Sequence, residues 1–396
     1  MRSLFFVCNA LDDQTRIERG ITTDSPAASR KVLLMLKAAR RAGVRAYAVS
    51  LGRGRQDGSG RYFGAKVARV DGVAVIYLPF LHTRLLSELL SLLAGVPLLW
   101  RLRRRPGRKT ALCYNRLPAY LPTLLGARLL GFNTALDLED GETDLRQWSL
   151  SGCKSRVLRW AIDSLCPGGA LLACEALADS TRLRPTRCCY GTTEIAPDAE
   201  KWTLPALTAL FGGTVADDTG AQLLIDAVER LRREAPAWAA ALRIEVTGKG
   251  DRLEQLRALG QDPRHPAVLV HGRTSDAEYR AVLARTQVGL ALKPNGGKLA
   301  HTTFPSKVIE FASHGMLVLT TDISDVKKVL GDGAVYLESD DAGLLIEKLR
   351  WIVANRGAAG ALAQRGAEAV SAVCAPAKVG AMLDAFLFPA GPGGKR

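Results

Sequence analysis

The chain has 396 residues, 47% of them hydrophobic and 23% charged, which predicts about two or three domains with real cores and excludes global disorder. Its 38 glycines follow no collagen period, and no run of ~18 uncharged apolar residues predicts a spanning helix. The net charge of +15 is lopsided: residues 1–200 hold 30 Lys/Arg against 18 Asp/Glu, so the first half predicts an anionic partner.

The start, Met1 to Asp13, meets acids too soon for a signal-peptide core, and a cytoplasmic protein is expected. Leu4–Asn9 reads as a first strand. A long polar loop, Asp12 to Ser29, contains Arg16, Arg19, Gly20, Thr22 and Thr23. A Gly-bearing loop before a helix can position an anion or a hydroxyl, so Arg19 and Gly20 are acceptor-binding candidates. Ser25–Ala42 is helical, with Val32, Leu33, Leu36 and Ala39 on one face, and Ala46–Leu51 and Gly72–Leu78 are strands.

Leu85–Trp100 is the longest apolar stretch, with leucines at helical spacing. Six cations follow within nine residues: Arg101, Arg103, Arg104, Arg105, Arg108 and Lys109. An apolar face beside a basic end suits anionic lipid headgroups, and a core helix with a solvated Arg loop fits the pattern equally. No aromatics interleave with these charges and no binding motif appears, so nucleic acid is not expected.

Thr110–Tyr114 is a strand, Ala119–Leu130 a helix, and Thr134–Leu138 a strand ending at Glu139 and Asp140. Ser155–Leu165, Gly169–Cys174 and Ala176–Arg182 continue the alternation, which breaks across Thr192–Leu204. A fresh start follows. Leu207–Phe211, Arg243–Thr247, Ala267–His271, Val288–Leu292, Leu317–Thr320 and Val335–Leu337 read as strands. Helices are predicted over Gly220–Arg233, over Ser275–Ala284 with a capping box in Ser275 and Glu278, from Pro305, and over Ala342–Ala354. Strands alternating with helices imply parallel sheets, with sites at the strand C-termini. The expected domains are 1–200 and 201–375, then a helix over 376–390 returning to the first domain, then a disordered tail at 391–396. The eight cysteines show no C-x-x-C pair and no Cys/His zinc spacing, and read as reduced thiols.

The most informative segment runs from His301 to Gly315 and contains Pro305-Ser306-Lys307-Val308-Ile309-Glu310. Proline in a first helical turn leaves outward-facing N–H groups at the positive helix end, an anion site to which Lys307 adds a full charge. Glu310, about one turn in, can accept hydrogen bonds from a vicinal diol such as ribose. G-x-S-x-G is absent, and Gly248-Lys249-Gly250 lacks the third glycine of a dinucleotide site. His82, His265 and His314 have no partners in sequence and read as structural.

P-S-K-x-x-E, a small-residue helix, Gly315 and Val318-Leu319-Thr320-Thr321-Asp322 resemble the nucleotide-sugar site of retaining GT-B glycosyltransferases, close to glycosyltransferase family 4. The resemblance covers mainly residues 206–350, where Phe211-Gly212-Gly213, Val246–Gly250 and Val270-His271-Gly272 fall in the family's order. It implies an α/β GT-B fold, two Rossmann-like doubly wound domains facing a cleft, and a metal-independent transfer from a nucleotide diphospho-sugar to an acceptor hydroxyl with retention. In that reading Glu310 binds the donor ribose, Ser306 and Lys307 hold the diphosphate, and Gly213 lets the backbone approach it. Gly248–Gly250, with Lys249, borders the base, and Arg273 or a neighbouring backbone group contacts the base edge. Leu138-Glu139-Asp140 lies at a strand-end loop facing the cleft, giving Glu139 and Asp140 catalytic candidacy; with Asp137 they are also the nearest approach to an Asp-x-Asp metal site.

Two departures from the family stand out. Its two acids separated by seven residues become Thr302 and Glu310 here, and the basic pair of G-R-x-x-x-x-K-G becomes Thr214 and Thr219 within Gly213–Gly220. Replacement charge is expected from Lys307, Lys249, Lys293, Lys298 or His301, beside Thr303 in the same loop. No cofactor beyond the donor, UDP- or GDP-sugar or another, is implied. The expected acceptor is a glycan, a lipid-linked molecule or a small molecule, as in polysaccharide biosynthesis, with peripheral attachment to a membrane through 85–109. The alternatives are a sugar-nucleotide epimerase or hydrolase on the same fold, or a non-catalytic two-lobed ligand-binding protein.

Overall fold

A computed structural model of the chain describes residues 1–21, 23–54, 60–141, 150–296 and 299–389. It divides into two compact units, Met1–Thr192 with the segment beginning at Pro376, and Thr193–Ala375.

The first unit runs β1 (Arg2–Cys8), α1 (Asp13–Glu18), α2 (Pro26–Arg41), β2 (Arg45–Ser50), β3 (Tyr62–Phe63), β4 (Lys66–Val70), β5 (Val73–Tyr77), β6 (Phe80–Leu81), α3 (Arg84–Arg103), β7 (Arg108–Tyr114), α4 (Leu121–Leu129), β8 (Asn133–Leu138), α5 (Leu150–Leu165), β9 (Ala170–Leu172) and β10 (Thr186–Cys188). Its main sheet has the order β10-β9-β8-β7-β1-β2-β5-β4, and β3 and β6 form a separate ribbon. Every pairing in the main sheet is parallel except β4 with β5. From β1 the chain builds outward through β2, then restarts on the other side with β7 and β8. Right-handed crossovers therefore put α2 and α4 on opposite faces and leave a switch point between β1 and β7.

The second unit runs β11 (Leu207–Thr214), α6 (Ala221–Glu234), β12 (Leu242–Lys249), α7 (Leu253–Gln261), β13 (Ala267–Gly272), α8 (Asp276–Arg285), β14 (Val288–Ala291), α9 (Ser306–Ser313), β15 (Leu317–Thr321), α10 (Val326–Leu330), β16 (Ala334–Leu337), α11 (Ala342–Ala354) and α12 (Arg356–Cys374). Its sheet, β13-β12-β11-β14-β15-β16, is parallel throughout. Numbered within the unit, that is the Rossmann order 3-2-1-4-5-6, with its switch point between β11 and β14.

Both sheets are covered on two faces, so their central strands read as nearly unbroken apolar runs. In the first unit Leu4, Phe6 and Cys8 of β1 pack on Val32, Met35, Leu36 and Ala39 of α2. In the second, Phe211, Val246 and Leu290 join Leu224, Val228, Leu345 and Leu349. A last helix, α13 (Pro376–Leu387), belongs to the first unit, where Val379, Leu383 and Leu387 join the α2 core. The Leu387 carbonyl accepts from Thr110 Oγ1 at 2.9 Å, and Arg2 pairs with Asp384.

Several expected elements differ. Asp12–Ser29 is not all loop: Asp12 caps α1, its Oδ1 accepting from the Thr15 N–H at 2.8 Å. Ala176–Arg182 is a 3-10 turn over Glu175–Ser180 rather than a full helix. Pro305 is the cap of α9 and not a first-turn residue. The sequence pattern missed β4 and β10, short edge strands whose exposed residues break any apolar run, and α12, whose buried residues are mostly Ala and Gly. Against the expectation of no spanning helix, Arg356–Leu387 is long and apolar enough to cross a membrane by length and composition. It breaks into two helices at Ala375, and Val370, Cys374, Val379 and Leu383 are buried within their units.

Candidate functional site

In the second unit the switch point brings the C-terminal end of β11 to the start of α9. Gly213 has φ +112°, and a Cβ there would stand 3.2 Å from Lys307 Cε, so strand end and lysine are neighbours. Gly213 pairs in register with Gly248 at the end of β12, where φ is +125° and any Cβ would run into the Gly213 carbonyl oxygen. These are backbone positions only glycine meets without strain.

Lys307 Nζ donates to Glu310 Oε2 at 2.6 Å and to Tyr279 Oη at 2.8 Å, and the Tyr279 hydroxyl donates to Glu310 Oε2 at 3.0 Å. The ammonium also stands 4.7 Å from the Tyr279 ring centroid. Burial by itself would lower the Lys307 pKa, but the Glu310 carboxylate and Tyr279 outweigh it and hold it above the ordinary value. Burial pushes the Tyr279 phenol up to about 12; Lys307 pulls it down and Glu310 pushes it up. Ser306 is exposed at the first turn of α9, whose N-terminus has no side-chain cap. Its leading N–H groups and the lysine make this helix end electropositive.

Around this group, Thr214 is exposed at the end of β11. The Thr219 hydroxyl lies 2.8 Å from the Thr214 and Ala216 carbonyl oxygens, closing the loop between the two threonines. A cation does stand at this loop. Arg252 grips Asp217 through two hydrogen bonds, 2.7 and 2.8 Å, directly after Gly248–Asp251. Lys249 and Gly250 are exposed, and the Lys249 carbonyl accepts from the Val215 N–H at 2.9 Å. Arg273 is exposed just beyond β13. In the loop before α9, His301 is exposed, Thr302 half-buried and Thr303 buried, while Lys298 lies outside the described residues.

The first unit holds a second charged group at its own strand ends. Lys31 of α2 pairs with Glu139 and, at 3.4 Å, with Asp137. Asn115, just past β7 with φ +57°, accepts from the Glu139 N–H at 3.0 Å and donates to Asp140 Oδ2 at 3.1 Å. Two acids share one lysine, and Asp137 is fully buried. Burial pushes the Glu139 carboxyl up to about 7, Lys31 pulling it down and Asp137 pushing it further up. Asp140 stays exposed.

Arg19 is turned inward, with 1% exposure. Its guanidinium reaches the carbonyls of Gly52 at 2.9 Å and Leu78 at 3.2 Å and lies 5.4 Å from the Tyr77 ring centroid. Its charge therefore serves the packing of its own unit, while neighbouring Gly20, φ +62°, is exposed. Thr22 lies outside the described residues.

Sequence reasoning missed Tyr279, Arg252, Lys31 and Asn115. Tyr279 lies four residues after the Ser275 cap, and nothing in a helical pattern marks it as facing α9. Arg252, which directly follows the Gly248–Asp251 turn, had a usable signal in that position.

Residues 206–355 match the family model for glycosyl transferases group 1. No curated protein matches the chain. Among solved structures, Anabaena HepE in complex with UDP and glucose is similar at 13% identity, with 98% of this chain and 100% of that chain covered and a TM-score of 0.67. A sucrose-phosphate synthase from Thermosynechococcus elongatus is similar at 13% identity, with 97% of each chain covered and a TM-score of 0.63. A trehalose 6-phosphate synthase from Burkholderia multivorans is similar at 12% identity, covering 98% of this chain and 96% of that one, with a TM-score of 0.64. The chain therefore has the GT-B fold of two Rossmann-like domains, and the stretch that matches the family model lies within its second unit.

Proposed function

We propose that the protein is a metal-independent, retaining glycosyltransferase of the family 4 type. It takes a sugar from a nucleotide diphospho-sugar on the second unit and passes it to an acceptor hydroxyl on the first. The observation that carries this reading is the Gly213–Lys307–Glu310 group, at the switch point of a Rossmann sheet and inside the stretch that matches the family model.

A diphosphate beside Gly213 meets the Lys307 ammonium and the first N–H groups of α9. As Lys307 turns to phosphate, Glu310 is released to accept hydrogen bonds from the ribose diol. The charge that develops on the departing diphosphate is stabilised by groups already in place, which is where electrostatic catalysis acts. Sugar passes to the acceptor as the bond to the diphosphate breaks. Glu139, ionising near neutral pH, is suited to take the acceptor's proton. The UDP complexes of HepE support a uridine diphospho-sugar as the first donor to try.

The test is a panel of UDP-, GDP- and ADP-sugars, with thermal shift, release of the free diphosphate and the anomeric configuration of the product as readouts, run with and without chelator. One nucleoside diphosphate should raise Tm by several degrees, as expected near 100 Kd. Turnover should survive chelation and the product should keep the donor's configuration. No thermal shift across the panel would remove the donor site, and strict dependence on Mg²⁺ or Mn²⁺ would remove metal independence.

A further inference from the structure

Three consecutive helices of the first unit, α3, α4 and α5, carry an unusual share of exposed apolar surface. Of the sixteen large apolar side chains exposed among the described residues, seven lie on them: Leu86, Leu93 and Trp100 on α3, Leu125 and Leu129 on α4, and Val157 and Trp160 on α5. The three on α3 are spaced by seven residues and form one stripe along the helix. Leu125 and Leu129 are four apart, and Val157 and Trp160 three apart, so each helix presents a continuous ridge. The helices are neighbours, α3 packing on α4 and α4 on α5.

The inward side of α3 is accounted for separately. Leu99 and Leu102 are buried, and Gly126 of α4 sits against Val96, so the two helix backbones approach closely. With an apolar inward side and an apolar outer stripe, α3 is apolar on opposite faces, a pattern that belongs to deep burial or to lipid contact. The side chains of Arg84, Leu85, Ser87, Glu88, Leu89, Ser91 and Leu92 lie outside the described residues.

Charge decides what covers this face. Arg101, Arg103, Arg104 and Arg105 are exposed at the end of α3, Arg128 on α4 and Lys154 on α5. Arg103 stands 5.7 Å from the Trp100 ring. Arg108 is otherwise engaged, donating to the Phe388 carbonyl at 2.9 Å. Among the described side chains of these helices the acid is Asp163, turned inward to Arg116 at 2.9 Å. A partner protein would have to supply both an apolar and an acidic surface of matching shape. An anionic bilayer offers both at once, with Trp100 and Trp160 suited to the headgroup level.

We propose that α3, α4 and α5 form a docking face for a bilayer surface rich in anionic lipid, entered by the leucines and tryptophans and held by the arginines. Contact is made through side chains on the outside of packed helices, so binding is peripheral and reversible. Each engaged cation contributes about fivefold in partitioning at low ionic strength, less as salt shortens the Debye length.

Flotation of the full chain with vesicles tests this independently of any donor nucleotide. Vesicles of phosphatidylcholine with about 30% phosphatidylglycerol should carry wild type at about 50 mM salt and release it at about 500 mM, and phosphatidylcholine alone should not carry it. Arg103→Ser/Arg104→Ser/Arg105→Ser should weaken partitioning by about a hundredfold. Leu93→Ser/Trp100→Ser should weaken it at least tenfold and reduce the blue shift of tryptophan emission. Both variants should keep the wild-type Tm within about 2 °C, because the altered side chains are exposed. Absence of wild-type flotation, or flotation unchanged in both variants, overturns the proposal. So does a concentration-dependent dimer that Leu93→Ser/Trp100→Ser dissociates without vesicle binding, which would make the face a contact between two copies.

Discussion

The two units set a lysine against carboxylates at the C-terminal edge of a sheet, with different charge balance. In the second unit one lysine, Lys307, faces one acid, Glu310, at the open start of a helix. In the first, one lysine, Lys31, faces two acids, Asp137 and Glu139, where strands β7 and β8 end. The first balance leaves helix N–H groups and a cation that an anionic ligand can recruit. In the second balance, burial pushes the Glu139 carboxyl up to about 7, with Lys31 pulling it down and the extra acid, Asp137, pushing it up. Topology fixes where charged groups converge; burial and the number of charges decide how each carboxylate titrates.

The largest expected effect comes from breaking the balanced pair. Glu310→Ala removes the carboxylate that receives both Lys307 and Tyr279. A charge-assisted hydrogen bond of this kind is worth roughly 1.5–3 kcal/mol, so donor affinity should fall roughly ten- to a hundredfold while the unit stays folded. Donor titration by calorimetry checks it, and native affinity in the variant would separate Glu310 from the donor.

The buried carboxyl of the first unit, Glu139, predicts a pH signature. A raised folded pKa means that the folded unit holds its proton more tightly than the unfolded chain does. That stabilisation is complete below the usual glutamate range and fades as pH climbs through about 7. Gln cannot ionise, so the Tm of Glu139→Gln should gain on wild type between about pH 5 and pH 8, on the order of 1 kcal/mol or 2–4 °C. Parallel Tm curves for the two proteins would remove the protonated carboxyl from the account.

The smallest effect sharpens the second unit. Tyr279→Phe keeps the ring over Lys307 and deletes the hydroxyl shared with Glu310. One neutral hydrogen bond is worth about 1 kcal/mol, so donor affinity should drop about two- to tenfold. A loss as large as that of Glu310→Ala would give the tyrosine a direct part in holding the donor.

Alternating apolar runs and amphipathic helices were enough to place most strands of both sheets within one to three residues, because strands covered on both faces must be apolar throughout. The Pro305–Glu310 segment was legible because a helix start, a lysine and an acid one turn apart are local features. Arg19 was not: it resembles a loop cation in sequence, and only the carbonyls of Gly52 and Leu78, brought in from residues far along the chain, show why it is buried.

By itself the sequence determined the class of fold, the Lys307–Glu310 neighbourhood and the basic character of the first half, since each follows from periodicity, spacing or count. Tertiary structure alone decided that Tyr279 closes the Lys307–Glu310 pair, that Lys31 meets Asp137 and Glu139, and that α3 packs on α4 and α4 on α5. In each case the partners lie tens to more than a hundred residues apart, and only the winding of the sheets sets which helix turns which side chain toward which strand end.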